Sequence, residues 1–333
     1  MEATVVLGQS EKGESETGLL SAKKDFSPRI ALALSAGGAK GLAHIGVIQV
    51  LEENGIPIHA IAGSSMGAYV GAVWAFGHNG AAMEKFARDV EGKWAWVRLL
   101  DPFPVPRCGL LRGEKTRRRL MQAIGDATFS DLPFPLRVVA TNLRTLEQKA
   151  FCEGEVALAV QASTAIPGVC APVRVGGELY FDGGVVDPLP VADAREMGAD
   201  VVIAVNVIPT SSYMRNRGDF EREQSEMRTQ QFGLGARLVR RAIDALKQEN
   251  LFDVMHRTML GAQMRLAEQS CRHADLVLRP LSLEARWHDF HRPAKYIALG
   301  RRVAEEHLTD IKELIRRRTY EPSASHHTLA VAA

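Results

Sequence analysis

Arg29-Ile-Ala-Leu-Ala-Leu-Ser35, followed by Ala36-Gly37-Gly38-Ala39-Lys40-Gly41 and a periodic apolar run from Leu42 to Asn54, decides the class of fold. Ile30 to Leu34 is an unbroken apolar run, bounded by a charge and a serine and too short for a helix, so it reads as a buried strand. The small residues after it allow a tight turn. Leu42 to Asn54 then reads as a helix that Gly55 stops. The same order recurs downstream. Ile58 to Ala62 is a strand, Gly63-Ser64-Ser65-Met66-Gly67 is the turn, and a helix runs from about Ala68 to Phe76. Further strands are predicted at Leu136 to Thr141, Leu179 to Phe181, Val201 to Val207 and Leu276 to Leu278. Near-continuous apolar strands separated by helices belong to a sheet covered on both faces. The expected fold is α/β: a mostly parallel sheet flanked by helices, in three layers.

Beyond these elements, residues 1–27 read as a flexible leader and 321–333 as a flexible tail, leaving 28–320 as one folded domain. Asp101-Pro-Phe-Pro-Val-Pro is a local loop, because its prolines deny helix and sheet their donors. From Phe232 to about Leu266 the pattern is helical, with Leu234, Leu238, Ala242 and Leu246 on one face, Val239 and Ile243 beside them, and Met255 and Met259 extending the stripe. That stripe suits either helices packed on the sheet or a lid or membrane-facing helix.

The 333 residues carry a net charge of +2, which argues against a nucleic-acid binder. Cys108, Cys152, Cys170 and Cys271 are widely spaced and form no C-x-x-C pair, so they read as reduced thiols in a reducing compartment. Val5-Val6-Leu7 is too short for a targeting core. Ile61 to Gly77 and Val156 to Val173 lack charge, but their glycines and polar residues suit buried strand-turn-helix segments better than lipid. A cytoplasmic protein, soluble or at most peripheral at a membrane, is expected.

Three motifs carry chemistry. Ala36 to Gly41 lies between strand and helix, where backbone N–H groups and a helix dipole converge on an anion. Such turns also bind dinucleotides or merely permit close packing. Gly63-Ser64-Ser65-Met66-Gly67 has the context of a nucleophile elbow, with Ser65 central and Gly63 and Gly67 giving room. Ser64 or Ser65 could equally be a helix N-cap. Tyr180-Phe181-Asp182-Gly183-Gly184 ends a strand on a carboxylate beside an open backbone, the place for a base, although an aspartate capping a turn also fits.

Together these segments resemble the patatin-like phospholipase family over most of residues 29–208. The resemblance rests on Leu34-Ser-Ala-Gly-Gly-Ala-Lys-Gly-Leu-Ala-His-Ile-Gly46, Gly63-Ser-Ser-Met-Gly67, Ala162-Ser-Thr-Ala-Ile-Pro-Gly168, Asp182-Gly-Gly and Gly198-Ala-Asp-Val-Val-Ile. It is nearest to bacterial members similar to the catalytic domain of neuropathy target esterase. The resemblance implies hydrolysis of an acyl ester, a phospholipid or lysophospholipid, by a Ser–Asp dyad without metal or organic cofactor. Ser65 becomes the nucleophile and Asp182 its base. Gly37, Gly38 and Ala39 become the oxyanion hole, supported by Lys40, Gly41, Gly63, Gly67, Gly183 and Gly184. The chain departs from the family at Ala36 (usually glycine), Lys40 (often arginine), Asn142 (usually aspartate) and Cys170 (often aromatic).

Other readings stay open beside it: a Ser–Asp–His carboxylesterase, or a non-catalytic nucleotide- or partner-binding protein using the glycine loop. His44 reads as a structural helix histidine. His256, His273, His288 and His291 are candidates for a conventional triad without a supporting motif, and Asp187 is a rival base. Arg112, Lys115, Arg117, Arg118 and Arg119 form either a solvated helix face or a surface for anionic lipid. No sequence signal sets an oligomeric state.

Overall fold

Ile30–Leu34 (β1) is fully buried along its length and alternates between two packing faces. Ile30, Leu32 and Leu34 enter the larger hydrophobic cluster, whereas Ala31 and Ala33 enter a second one on the opposite side. That two-residue period, in a strand with no polar face, requires cover on both sides.

The computed structural model describes residues 27–92, 97, 100–103, 109–230 and 251–320. The leader up to Phe26, the tail from Glu321, Cys108, most of the proline loop and the Phe232-to-Asn250 part of the apolar stripe lie outside the described residues.

The other strands are Ala60–Ser64 (β2), Leu136–Asn142 (β3), Gln148–Phe151 (β4), Val173–Val175 (β5), Glu178–Asp182 (β6), Val201–Val205 (β7) and Leu276–Leu278 (β8). The helices are Ala43–Glu53 (α1), Met66–Ala75 (α2), Gly80–Arg88 (α3), Glu114–Ile124 (α4), Val156–Ser163 (α5), Val191–Glu196 (α6), Ser211–Gln230 (α7), Leu251–Cys271 (α8), Pro293–Glu306 (α9) and Leu308–Tyr320 (α10).

Hydrogen bonds connect the strands as β5-β6-β3-β2-β1-β7-β8, with β4 also on β3. Strands β8, β7, β1, β2 and β3 run parallel, while β4 and β6 join β3, and β5 joins β6, antiparallel. The sheet is therefore mixed and mostly parallel, as expected. Strands β4 and β5 are additions: Gln148–Phe151 carries two exposed polar residues and Val173–Val175 has only three residues, so neither shows as an apolar run. Helices α1, α2 and α9 cover the larger face, and α6 with the end of α8 covers the smaller one.

The pairing of β3 places the site. Val138 and Val139 lie between β2 (Gly63, Ser64) and β4 (Phe151, Ala150). Ala140 and Thr141 lie between β6 (Asp182, Phe181) and the same β4 (Lys149, Gln148). Strands β2 and β6 therefore share one edge of β3 and meet nearly end to end, Ser64 beside Val139 and Asp182 beside Ala140.

Candidate active site

Ser65 stands between β2 and α2 with φ 53° and ψ −121°, a conformation that residues with a side chain seldom adopt. Although it occupies the N-cap position, its side chain makes no capping bond. The hydroxyl instead donates to Asp182 Oδ2 at 2.6 Å. The elbow is held by packing. A Cβ on Gly67 would run into the Leu34 carbonyl oxygen, so only glycine lets α2 start this close to β1. Gly63 lies against the Ala68 backbone in the same way. Ser163 Oγ accepts the Ser65 N–H at 2.9 Å and donates to the Val139 carbonyl. Ser64 is buried on the other side, and its hydroxyl has no hydrogen-bond partner among the described residues.

Asp182 ends β6, and its remaining oxygen, Oδ1, accepts the Gly184 N–H at 2.7 Å. It therefore caps its turn and holds Ser65 together. Its backbone is fixed as well: the N–H donates to the Ala165 carbonyl and the carbonyl accepts from the Thr141 hydroxyl. Gly183 sits directly on the Val139 carbonyl. Burial raises the Asp182 carboxyl to about 6, against the lowering effect of the Ser65 and Gly184 hydrogen bonds. A buried carboxylate so placed can accept the hydroxyl proton.

The glycine loop forms the wall beside them. Residues Gly38–Leu42 make a 3-10 turn ahead of α1. Gly38 has φ +58°, and a Cβ there would strike the Trp287 carbonyl. That same carbonyl takes the Ala39 N–H at 2.7 Å. Of the three expected oxyanion donors, Ala39 is thus already engaged, because the 287 loop reaches it first. Gly37 and Gly38 line the cleft that holds Ser65 and Asp182, as does Lys40. Lys40 is lowered to about 8, by burial first and by repulsion from Arg217 second. Gly41 lies under Met66 and fixes the loop against the elbow. No helix among the described residues is long and apolar enough to cross a membrane.

Residues 32–195 match the family model described as patatin-like phospholipase. The chain carries a patatin-like phospholipase domain. An uncharacterised NTE family protein of Mycobacterium tuberculosis H37Rv is 45% identical over 183 residues, 54% of this chain and 49% of that protein. The lysophospholipase NTE1 of Saccharomyces cerevisiae is 32% identical over 182 residues, 54% of this chain and 11% of that one. The alignment thus spans about half the length of the mycobacterial relative and a small part of the yeast one. VipD from Legionella pneumophila shares the fold with a TM-score of 0.51 at 16% identity, over 85% of this chain and 67% of that one.

Within the patatin-like domain and its surroundings, the remaining candidates separate. His44 is fully buried, and its Nε2 donates to the Ser35 carbonyl at 2.9 Å. Burial lowers it to about 4, so it is a neutral strut between α1 and β1. His256 lines the cleft, its ring stacked on Trp287 at 5.0 Å. Asp187 accepts the Leu189 N–H and caps a turn. The basic run is largely paired. Arg117 binds Glu155, Arg119 binds Asp89 and lies over Phe86, and Lys115 donates to the Leu100 carbonyl.

Of the apolar stripe, Met255 and Met259 lie on helix α8, which packs on the sheet along part of its length. Leu260, Met264, Ala267 and Cys271 pack on the sheet, whereas His256 and Met259 line the cleft and Met255 is exposed. Ser163, Trp287 and Arg217 escaped sequence reasoning. Ser163 falls within the Ala162-to-Gly168 segment, but nothing local marks a serine as the partner of an N–H 98 positions earlier.

Proposed function

We propose that this protein is a serine acyl-ester hydrolase in which Ser65 attacks the ester carbonyl and Asp182 takes its proton. The observation that carries this reading is the 2.6 Å hydrogen bond from Ser65 to Asp182 in a strained elbow facing a glycine loop. As Ser65 Oγ bonds to carbon, its proton passes to Asp182, and the carbonyl oxygen becomes an oxyanion toward Gly37 and Gly38. Collapse expels the alcohol, which recovers the proton from Asp182. Water, deprotonated by Asp182, then attacks the acyl-serine; the acid leaves and Ser65 Oγ recovers the proton from Asp182. The positive end of α2 points at Ser65 and favours the developing charge.

The substrate class is a phospholipid or lysophospholipid, supported by the lysophospholipase name of the yeast relative. Contact with a bilayer would use exposed apolar side chains near the cleft. Leu110, bonded to the Val169 carbonyl, and Met255, against Gly168, are both exposed beside the turn that follows Ile166, a residue of the cleft lining. Because His256 shares the cleft, a Ser–Asp–His variant is the second reading. The test is fatty-acid release from a panel of phospholipids, lysophospholipids and neutral acyl esters by the purified protein and Ser65→Ala. Release that depends on Ser65 supports the reading; release from no ester, or equal release by both proteins, rejects it.

A further inference from the structure

Helix α8 turns an uncharged amide into the cleft beside Asp182. His256, Met259, Leu260 and Gln263 share one helical face, and all four line the cleft with Ser65 and Asp182. Met264, Ala267 and Cys271, next along the helix, pack on the sheet and fix its rotation. The apolar pattern that anchors α8 therefore also aims Gln263 at the site. Gln263 lies beyond the matched residues 32–195, and among the described residues its amide makes no hydrogen bond.

Gly184 sets the distance between this amide and the carboxylate. A Cβ on Gly184 would stand 2.9 Å from Gln263 Nε2, from Asp182 Oδ1 and from the Ala36 Cβ. Two atoms equally close to one point lie at most twice that distance apart. Nε2 and Oδ1 are therefore no further from each other than one water spans with two hydrogen bonds. Oδ1 already takes the Gly184 N–H at 2.7 Å, and a carboxylate oxygen has a lone pair left for a second donor. Any side chain at residue 184 would press on all three neighbours at once, and glycine keeps the space between them open.

We propose that Gln263 positions the water that hydrolyses the acyl-serine, holding it against the Asp182 carboxylate. This rests on the acyl-hydrolase reading above. Once Ser65 carries the acyl group, its Oγ no longer donates to Asp182, and the carboxylate can take a proton from water. The Gln263 N–H donates to the water oxygen, one water O–H donates to Asp182, and a lone pair is left to face the acyl carbon. Attack forms the new C–O bond as the proton passes to Asp182. The C–Oγ bond then breaks, and Oγ recovers that proton as the carboxylic acid leaves. Gln263 exchanges no proton, so it is a positioning residue. Formation of the acyl-serine uses no water, and Gln263 therefore acts on the second half of the cycle.

The experiment uses the full chain and p-nitrophenyl butyrate, whose activated leaving group makes deacylation the slow step. Stopped-flow release of p-nitrophenol gives a burst for acylation and a slower steady phase for deacylation. Gln263→Leu should lower kcat about tenfold, the worth of one hydrogen bond, and lower KM in proportion. The ratio kcat/KM, which reports acylation, should then hold steady. Butyryl-enzyme should accumulate on Ser65, read by mass spectrometry of the intact protein. Added methanol, free to attack without that water, should take a larger share of the acyl group than in wild type. Gln263→Asn keeps the amide but one methylene short. It should move every readout the same way by less, and it carries the test if Gln263→Leu fails to fold by circular dichroism. A purely structural role would lower kcat/KM and the burst rate together with kcat. That pattern, or an unchanged kcat and methanol share in folded variants, overturns the proposal. Failure of the hydrolase reading looks different: the wild type would release no p-nitrophenol and form no butyryl adduct.

Discussion

Ser163 holds Ser65 from behind: its hydroxyl accepts the Ser65 N–H at 2.9 Å and itself donates a hydrogen bond to the Val139 carbonyl. The Ser65 backbone is thereby tied to β3, the strand on which Asp182 also rests, through Ala140. Ser163→Ala leaves a buried N–H unpaired, a cost of about 1–3 kcal/mol. Urea denaturation should show that loss, and kcat for p-nitrophenyl butyrate should fall while KM changes little. An unchanged kcat would mean that packing alone holds the elbow.

If Asp182 is the base proposed above, it links activity to stability with opposite signs. Its carboxyl is raised from 3.8 to about 6 by burial, so the folded state disfavours the charged form. The destabilisation is absent below the unfolded value and complete above about 6. Its full size is on the order of 3 kcal/mol. Asp182→Asn should therefore melt higher than wild type at pH 8, with the gap closing toward pH 4. The same variant should lose about 10²–10⁴-fold in kcat, the usual cost of removing a general base. For the wild type, kcat/KM should fall as pH drops through about 6, because the base must be ionised. A flat profile between pH 5 and pH 8 would detach Asp182 from proton transfer.

Strain at Ser65 is separable from its chemistry. Ser65→Ala and Ser65→Gly both remove the hydroxyl, but only glycine adopts φ 53° freely. Ser65→Gly should be more stable than Ser65→Ala by about 1 kcal/mol, despite the entropy glycine adds to the unfolded chain. Both should be inactive. Ser64→Ala, which removes a buried hydroxyl without a partner among the described residues, should keep substantial activity. Equal melting temperatures for the two Ser65 variants would remove the strain argument.

Much of this was legible in the sequence because the information is local. The apolar run at Ile30–Leu34, the glycines around Ser65 and the strand ending at Asp182 each announce a strand end that needs a tight turn. The meeting of Ser65 with Asp182 depends on β2 and β6 sharing one edge of β3, a pairing between elements more than 100 positions apart that no local pattern encodes. Strands β4 and β5 were missed because they are short and partly exposed. The engagement of Ala39 by Trp287 was equally hidden, since the acceptor is a backbone carbonyl that any residue could supply.

The histidines separate the dyad from a triad. His44 is committed to the Ser35 carbonyl, and His256 stacks on Trp287. His44→Gln and His256→Gln, assayed on p-nitrophenyl butyrate, should retain clear turnover, with His44→Gln chiefly less stable. A folded His256→Gln as inactive as Asp182→Asn would favour the triad.

The central claim is that Ser65 is the nucleophile. Labelling the purified protein with a fluorophosphonate probe and mapping the adduct by mass spectrometry tests it most directly. The account predicts one adduct, on Ser65, absent from Ser65→Ala and much slower to form in Asp182→Asn. An adduct on another residue, or undiminished labelling of Ser65→Ala, would contradict it.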